Sequence, residues 1–492
     1  MNTSKPMTHC ISTRGNSPSV LPGQALLQGA ARDGGLFLMD RLVDLSPLMA
    51  LHHDITKLAA KVFQLFLPDL DSELVTKAAQ QAYAQFEHPD AAPLKQVGED
   101  FILELFHGPT AAFKDLALQA LPLLMAIARL QYAPDTGYTV LAATSGDTGS
   151  AAMSGFARAS GFHALVYYPQ GGVSPVQLQQ MLSLCGEQAR AIGIRGNFDD
   201  AQAGVKAAFS ALRHELPRGQ AFSSANSINI GRLLAQMVYY IKACGDLRAK
   251  GALKDGQAVD FVVPSGNFGN ILAGYLVKKM GLPVGQLVCV SNANTVLADF
   301  LNTGVYDRRR VLSKTQSPSM DILVSSNLER LLYYAAEEDA QKVAAFMDEL
   351  NNKGVYAIDE AMRRHINAHF VGVSRDDAQG RAAIRTVYER HRYLLDPHTA
   401  LAYAALKQLP STGNPKVVVA TASPFKFPRT LAQALGREDL LADNDPLRAL
   451  SRATGHPIPR ALQGLMGQAF GAETIIDAQD LVRDVQRRVA AW

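Results

Sequence analysis

The segment His107-Gly-Pro-Thr-Ala-Ala-Phe-Lys-Asp115 holds one lysine, Lys114, between Phe113 and the apolar Leu116, Ala117 and Leu118. Partial desolvation there favours the neutral, nucleophilic amine and with it Schiff-base chemistry on an aldehyde. A lysine at a helix start is ordinarily solvated, so this reading depends on partners elsewhere in the chain. Pro264-Ser-Gly-Asn-Phe-Gly-Asn270 is the first. It follows the apolar run 259–263 and precedes a helical pattern over 271–280. Gly266 and Gly269 allow close backbone approach, and the amides and positive end of the following helix make a phosphate cradle of Gly266, Asn267, Phe268, Gly269 and Asn270. The plain alternative is a strand-to-helix turn, which needs no asparagine on both sides of a Phe-Gly pair. The loop carries no Walker lysine, and nowhere in the chain do glycines take the two-apart spacing of a dinucleotide fingerprint. The second partner is Thr421, at the end of the β-branched run 417–420, where a ligand meets the carboxyl ends of strands in an open α/β sheet. An aldehyde trap, a phosphate cradle and a hydroxyl for a pyridine nitrogen are together the contact list of pyridoxal phosphate.

Over nearly its whole length the chain resembles the threonine synthase family. The resemblance rests on Ser12-Thr-Arg-Gly15, Asp33-Gly-Gly-Leu36, the run Glu104 to Asp115, Thr144-Ser-Gly-Asp-Thr-Gly149 and Ser224-Ala-Asn-Ser-Ile-Asn-Ile-Gly-Arg232. It continues through Pro264 to Asn270, Ser317-Pro-Ser-Met-Asp321, Asp396-Pro-His-Thr399 and Thr421 to Phe427, all in the family's order. It implies an α/β enzyme of pyridoxal-phosphate fold type II, similar to tryptophan synthase β, with two lobes enclosing the cofactor. It also implies conversion of O-phospho-L-homoserine and water to L-threonine and phosphate.

The family's site residues carry over individually. Lys114 matches the Schiff-base lysine and acid-base catalyst, Gly266 to Asn270 the cofactor-phosphate loop, and Thr421 the hydroxyl at the pyridine nitrogen. A hydroxyl there makes a moderated electron sink, suited to elimination more than transamination. Asp147 matches a position near the cofactor's 3'-oxygen that is frequently asparagine in relatives. An aspartate there must share a proton or accept bonds from neighbouring loop amides, because adjacent oxyanions repel. Ser145 and Thr148 match a substrate-carboxylate site, before a helix opening at Ser150 and Ala151. Asn226, Ser227 and Arg232 match the site for the substrate's own phosphate: polar side chains at a helix start with a guanidinium about one and a half turns on. With no second general base among the matched residues, the departing phosphate is the candidate base for the water step. Ala111 and Ser423 stand where leucine and histidine are frequent in the family, which bears on substrate fit.

These residues need a scaffold of strand-to-loop-to-helix units. Strand-like runs at 139–143, 164–168, 259–263, 287–290 and 417–420 alternate with helical patterns, the signature of twisted, largely parallel sheets. An N-terminal helical region occupies residues 1–95, a two-lobed catalytic core 96–430 with the smaller lobe beginning near Ser145, and a helical tail 431–492 packs on the core. The apolar segment 116–130 is interrupted by Gln119, Pro122 and Arg129 and reads as a buried helix, not a membrane span.

Composition narrows the function classes. A chain of 492 residues, 48% apolar and 19% charged, can bury a large core over two or three domains. A net charge of +3 without a dense basic stripe argues against nucleic acid, and Arg308-Arg-Arg310 reads as a solvated turn. The polar start, residues 1–17, lacks a signal-peptide core. The scattered Cys10, Cys185, Cys244 and Cys289 fit a reducing cytoplasm. His365 and His369 lack the glutamate of a zinc-protease helix and read as a solvated face, so no metal is expected. His107 reads as a holder of the lysine segment, and His398 stays ambiguous. The expected partner is a small-molecule substrate, with no nucleic acid or membrane, for a monomer or homodimer. The rival readings are a pyridoxal-phosphate phospho-lyase of another phosphorylated amino acid, and a non-catalytic paralogue.

Overall fold

The valines at 417–419 offer no polar face, which suits a strand covered on both sides. In the computed structural model they lie in Lys416–Ala420, inside a six-stranded sheet ordered Phe370–Ser374, Val284–Ser291, Val259–Pro264, Lys416–Ala420, Asp100–Glu104 and Leu94–Val97. All neighbours are parallel except the Leu94–Val97 edge. A second, wholly parallel sheet of five strands runs Thr474–Asp477, Ala189–Arg195, Phe162–Pro169, Gly137–Ala143 and Gln220–Ser224. The structure describes residues 8–212, 215–468 and 470–492, so the first seven residues of the polar start lie outside it. Among the described residues no helix is long and apolar enough to cross a membrane.

The expected α/β class with parallel sheets is the class observed, and four details differ. The tail is not wholly helical: Thr474–Asp477 adds an edge strand to the second sheet, and the helix Leu481–Val489 follows it. The segment 116–130 is two helices, Asp115–Leu118 and Leu121–Tyr132, with Pro122 in the first turn of the second, where a missing amide hydrogen costs nothing. The smaller lobe begins before Ser145, because Gly137–Ala143 already belongs to its sheet. His365 is not on a solvated face: its Nε2 lies 2.8 Å from the Tyr275 hydroxyl, and both it and His369 are half-buried.

Two motifs prove to be staples. Ser12 Oγ donates to Asp33 Oδ1 at 2.8 Å, joining the antiparallel strands Cys10–Ser12 and Phe37–Met39 near their loop. Arg14 reaches across the molecule to Glu329 through two bonds of 2.9 Å, and Thr13 adds a third at 2.6 Å. Such fork-to-carboxylate pairing fixes orientation as well as distance.

Candidate active site

Every strand that delivers a candidate residue does so from its carboxyl end, where an open α/β sheet leaves a crevice. Asp100–Glu104 leads to the lysine segment, Gly137–Ala143 to Ser145, and Gln220–Ser224 to Asn226. Val259–Pro264 leads to the glycine loop and Lys416–Ala420 to Thr421. One narrow cavity is lined by Lys114, Ser145, Asp147, Thr148, Asn226, Ser227, Arg232, Gly266, Asn267, Phe268, Gly269, Asn270 and Thr421. Thus all the residues expected at the site converge. A much larger cavity, about 1090 Å³, lies between Lys206, Phe222, Tyr306 and Tyr356 and contains none of them. Volume alone would have pointed away from the residues expected at the site.

The lysine segment is held rigidly. Asp115 accepts from the Thr110 hydroxyl at 2.7 Å and the Thr110 amide at 2.8 Å, and burial pushes its carboxyl up to about 6. Gly108 is required, since a Cβ there would sit 2.4 Å from the Cβ of Asp115. His107 does hold the segment, through a 2.8 Å contact with Glu104, which also accepts from Tyr393 at 2.8 Å. Lys114 itself is buried, and its Nζ lies 4.5 Å from the Phe113 ring centroid. Burial pushes the amine down to about 8, against the pull of Asp147, whose Oδ2 is 3.8 Å away.

The glycine loop meets the helix Gly269–Lys279 directly, so Gly269 and Asn270 occupy its first turn. Neither Gly266 nor Gly269 needs a positive φ; the left-handed residue is Phe268, at φ 60°. The glycines supply room. A Cβ on Gly266 would lie 2.3 Å from the Ser319 carbonyl, and one on Gly269 3.2 Å from the Cβ of Ser227. Asn270 Oδ1 accepts from Tyr239 at 2.6 Å and Tyr240 at 2.9 Å, which aims its Nδ2.

Four buried polar atoms on residues lining this cavity have no hydrogen-bond partner among the described residues: Asn267 Oδ1, Asn270 Nδ2, Ser319 Oγ and Arg232 Nε. Buried polar groups are rarely left unpaired. Together with the helix start and Lys114, they fit a phosphorylated aldehyde. Arg232 is almost fully buried and donates from Nη1 to the Ala225 carbonyl at 3.1 Å; burial lowers its guanidinium to about 10.

Two helix boundaries shift the expected geometry. The helix Asp147–Phe156 starts three residues before Ser150, placing Asp147 and Thr148 in its first turn. The helix Ile230–Ala249 starts at an Asn229 cap, so Asn226 and Ser227 precede it and Arg232 lies in its first turn. A further correction concerns Asp147. Its partners are not loop amides, two of which, Gly146 and Gly149, are taken by the Thr144 hydroxyl at 2.9 and 2.8 Å. Asp147 Oδ1 instead meets Lys426 Nζ at 2.7 Å and Gln177 Nε2 at 2.8 Å. Burial opposes its ionisation, but Lys426, Lys114 and His398 outweigh that and hold the carboxyl well below its ordinary range.

Comparison with known proteins points to the same fold and cofactor class. A family model described as pyridoxal-phosphate dependent enzyme matches residues 91–423, between a threonine synthase N-terminus model over 9–83 and a threonine synthase C-terminal model over 399–485. The chain belongs to the threonine synthase family. Threonine synthase of Pseudomonas aeruginosa is 38% identical, covering 86% of this chain and 90% of that protein. Human threonine synthase-like 1 is 36% identical over 84% of this chain, which spans only 58% of that longer protein. Among solved structures, pyridoxal-phosphate-bound threonine synthase from Brucella melitensis superposes with a TM-score of 0.86 at 36% identity, covering 98% of this chain and 99% of that one. Yeast threonine synthase gives 0.85 at 32% identity, with the same coverage.

Seen as a member of the threonine synthase family, the chain has site neighbours that sequence reasoning passed over. Lys426 stood inside a quoted motif without a role, and Gln177, Tyr239 and Tyr240 carried no motif signal at all. His398 lines the cavity with both ring nitrogens engaged: Nδ1 is 2.7 Å from Asp396 Oδ1, and Nε2 accepts from the Ser319 amide at 3.2 Å.

Proposed function

We propose that this protein is a threonine synthase, converting O-phospho-L-homoserine and water to L-threonine and phosphate. The observation that carries the reading is Arg232, a buried cation with an unpaired Nε, lining the same cavity as the Lys114 amine and the glycine loop. One cavity thus offers two anion sites around one amine, as a phosphorylated cofactor and a phosphorylated substrate require.

When bound, pyridoxal phosphate supplies the electron sink that acidifies the substrate's α-carbon, which bears the amine, and then its β-carbon. The glycine loop and the start of the helix Gly269–Lys279 would hold its phosphate, and the Thr421 hydroxyl would serve its ring nitrogen. Lys114 would anchor it and, as a free amine, would move protons at the substrate's α- and β-carbons. The lowered affinity of this amine for protons suits that work near neutral pH. Ser145 and Thr148 receive the substrate's carboxylate. Asn226, Ser227 and Arg232 hold the phosphate that leaves the γ-carbon. Water then adds at the β-carbon. His398 is the only imidazole lining the cavity among the described residues, and both its nitrogens are engaged, which supports the departing phosphate as the base for that step. We further propose a cytoplasmic biosynthetic role, supported by four free cysteines, Cys10, Cys185, Cys244 and Cys289.

The test is to supply the holoenzyme with O-phospho-L-homoserine and to quantify phosphate, threonine and keto acid together. Phosphate and threonine in equal amounts are expected. Phosphate with keto acid would make the protein a phospho-lyase. No turnover of any phosphorylated amino acid, in a protein that binds no cofactor, would leave the non-catalytic reading.

A further inference from the structure

Lys426 has no exposed surface, yet it meets polar groups belonging to three separate segments. Its Nζ lies 2.7 Å from Asp147 Oδ1, on the first turn of the helix Asp147–Phe156, and donates to the Thr110 carbonyl at 2.9 Å in the lysine segment. Its own carbonyl accepts from Ser174 Oγ at 2.9 Å. Ser174 caps the helix Pro175–Ser183, whose Gln177 donates the second bond to Asp147 Oδ1, at 2.8 Å. The other oxygen of Asp147 faces Lys114 Nζ at 3.8 Å. The carboxylate is therefore shared between two lysines, one of them the reactive amine.

We propose that Lys426 is a positioning residue of the cofactor site, neutralising Asp147 so that an aspartate can stand beside the cofactor's 3'-oxygen. This rests on the reading of Asp147 as the residue at that oxygen. Two oxyanions in contact in a buried site repel strongly, and an uncompensated carboxylate would either take up a proton or expel the ligand. A neutral asparagine would escape the conflict and would need no ammonium. An aspartate needs one, and Lys426 is rigidly supplied by the Thr110 carbonyl on one side and the Ser174 tether on the other. Lys114 cannot fill that role throughout, because its nitrogen is the one consumed in holding the cofactor. The ionisable groups around the pair are Lys114, Arg232, Asp115 and His398. None of these makes a hydrogen bond or a close ion pair to Lys426 or to Asp147 Oδ1, so the Lys426 to Asp147 contact is the local compensation.

The pair makes a charge-compensation test possible on the holoenzyme, read from the visible absorbance of the bound cofactor as a function of pH and from cofactor affinity by fluorescence. Lys426→Met is expected to weaken cofactor binding at least tenfold and to raise the pH midpoint of the spectrum by about one unit or more, a proton taking the place of the lost cation. Asp147→Asn alone is expected to lower the midpoint, since it leaves Lys426 unpaired next to the ligand. Asp147→Asn combined with Lys426→Met is expected to return both affinity and midpoint close to those of the parent. Should Lys426→Met not fold by circular dichroism, the double variant still decides: folding and cofactor binding regained support the proposal, and loss of both overturns it. An unmoved midpoint in Lys426→Met overturns it as well. If Asp147→Asn changes neither spectrum nor affinity, the placement of Asp147 at the 3'-oxygen fails first, and the proposal with it.

Discussion

Replacing Arg232 with methionine should separate the substrate's phosphate site from the cofactor's. The side chain is nearly fully buried, has one Nη1 bond to the Ala225 carbonyl and leaves Nε unpaired at the cavity. The edge formed by Nε and the second terminal nitrogen is therefore open to a phosphate, a two-bond geometry that guanidinium favours. Each such charge-assisted bond contributes about 1.5–3 kcal/mol. Losing two costs about 3–6 kcal/mol, or roughly 10²- to 10⁴-fold at about 1.4 kcal/mol per decade. The loss should fall on kcat/KM for O-phospho-L-homoserine, measured by phosphate release, with cofactor affinity changed less than threefold. Methionine also removes a buried charge that has no carboxylate partner among the described residues, so the melting temperature of the cofactor-free protein should not drop. A loss of kcat/KM below tenfold, or a parallel loss of cofactor affinity, would refute the assignment.

Lys114→Ala should abolish phosphate release and leave the cofactor removable by dialysis; release at the parental rate would remove Lys114 from the chemistry. In the cofactor-free protein, the rate of pyridoxal phosphate capture should rise with pH through a midpoint near 8, because capture needs the neutral amine and burial moves its pKa down from 10.5. Stopped-flow absorbance gives that midpoint, and a value near that of an ordinary lysine would mean the amine is solvated in solution. Gly266→Ala should weaken cofactor binding more than Gly269→Ala, because its Cβ meets a backbone carbonyl at 2.3 Å, whereas the nearest atom at Gly269 is 3.2 Å away on a side chain. Equal affinities in a fluorescence titration would show that the loop moves freely.

Much of the site was legible because chemistry that depends on residue type leaves its mark locally. Lys114 announces itself through apolar neighbours, the glycine loop through its spacing after a strand, and Thr421 through its place at a strand end. Boundaries were less legible. Nothing in Ala189–Arg195, with Arg190 second and Arg195 last, or in the short run Thr474–Asp477 marks a strand until the sheet edge is there to pair with it. The left-handed backbone fell on Phe268, not on Gly266 or Gly269, whose missing side chains instead leave room for Ser319 and Ser227.

The sequence alone determined the residue types that the proposed chemistry uses: a desolvated amine, a glycine loop between strand and helix and a strand-end hydroxyl are fixed by residue type and by a few neighbours along the chain. Only the tertiary structure decided how charge is balanced around them. Lys426 lies 279 positions from Asp147 in the chain, yet sits 2.7 Å from it, and Tyr239 and Tyr240 orient Asn270 across two helices. Electrostatic compensation in a buried site acts through space at a few ångströms and leaves no periodicity or spacing in the sequence, so it becomes visible only once the lobes have brought those groups together.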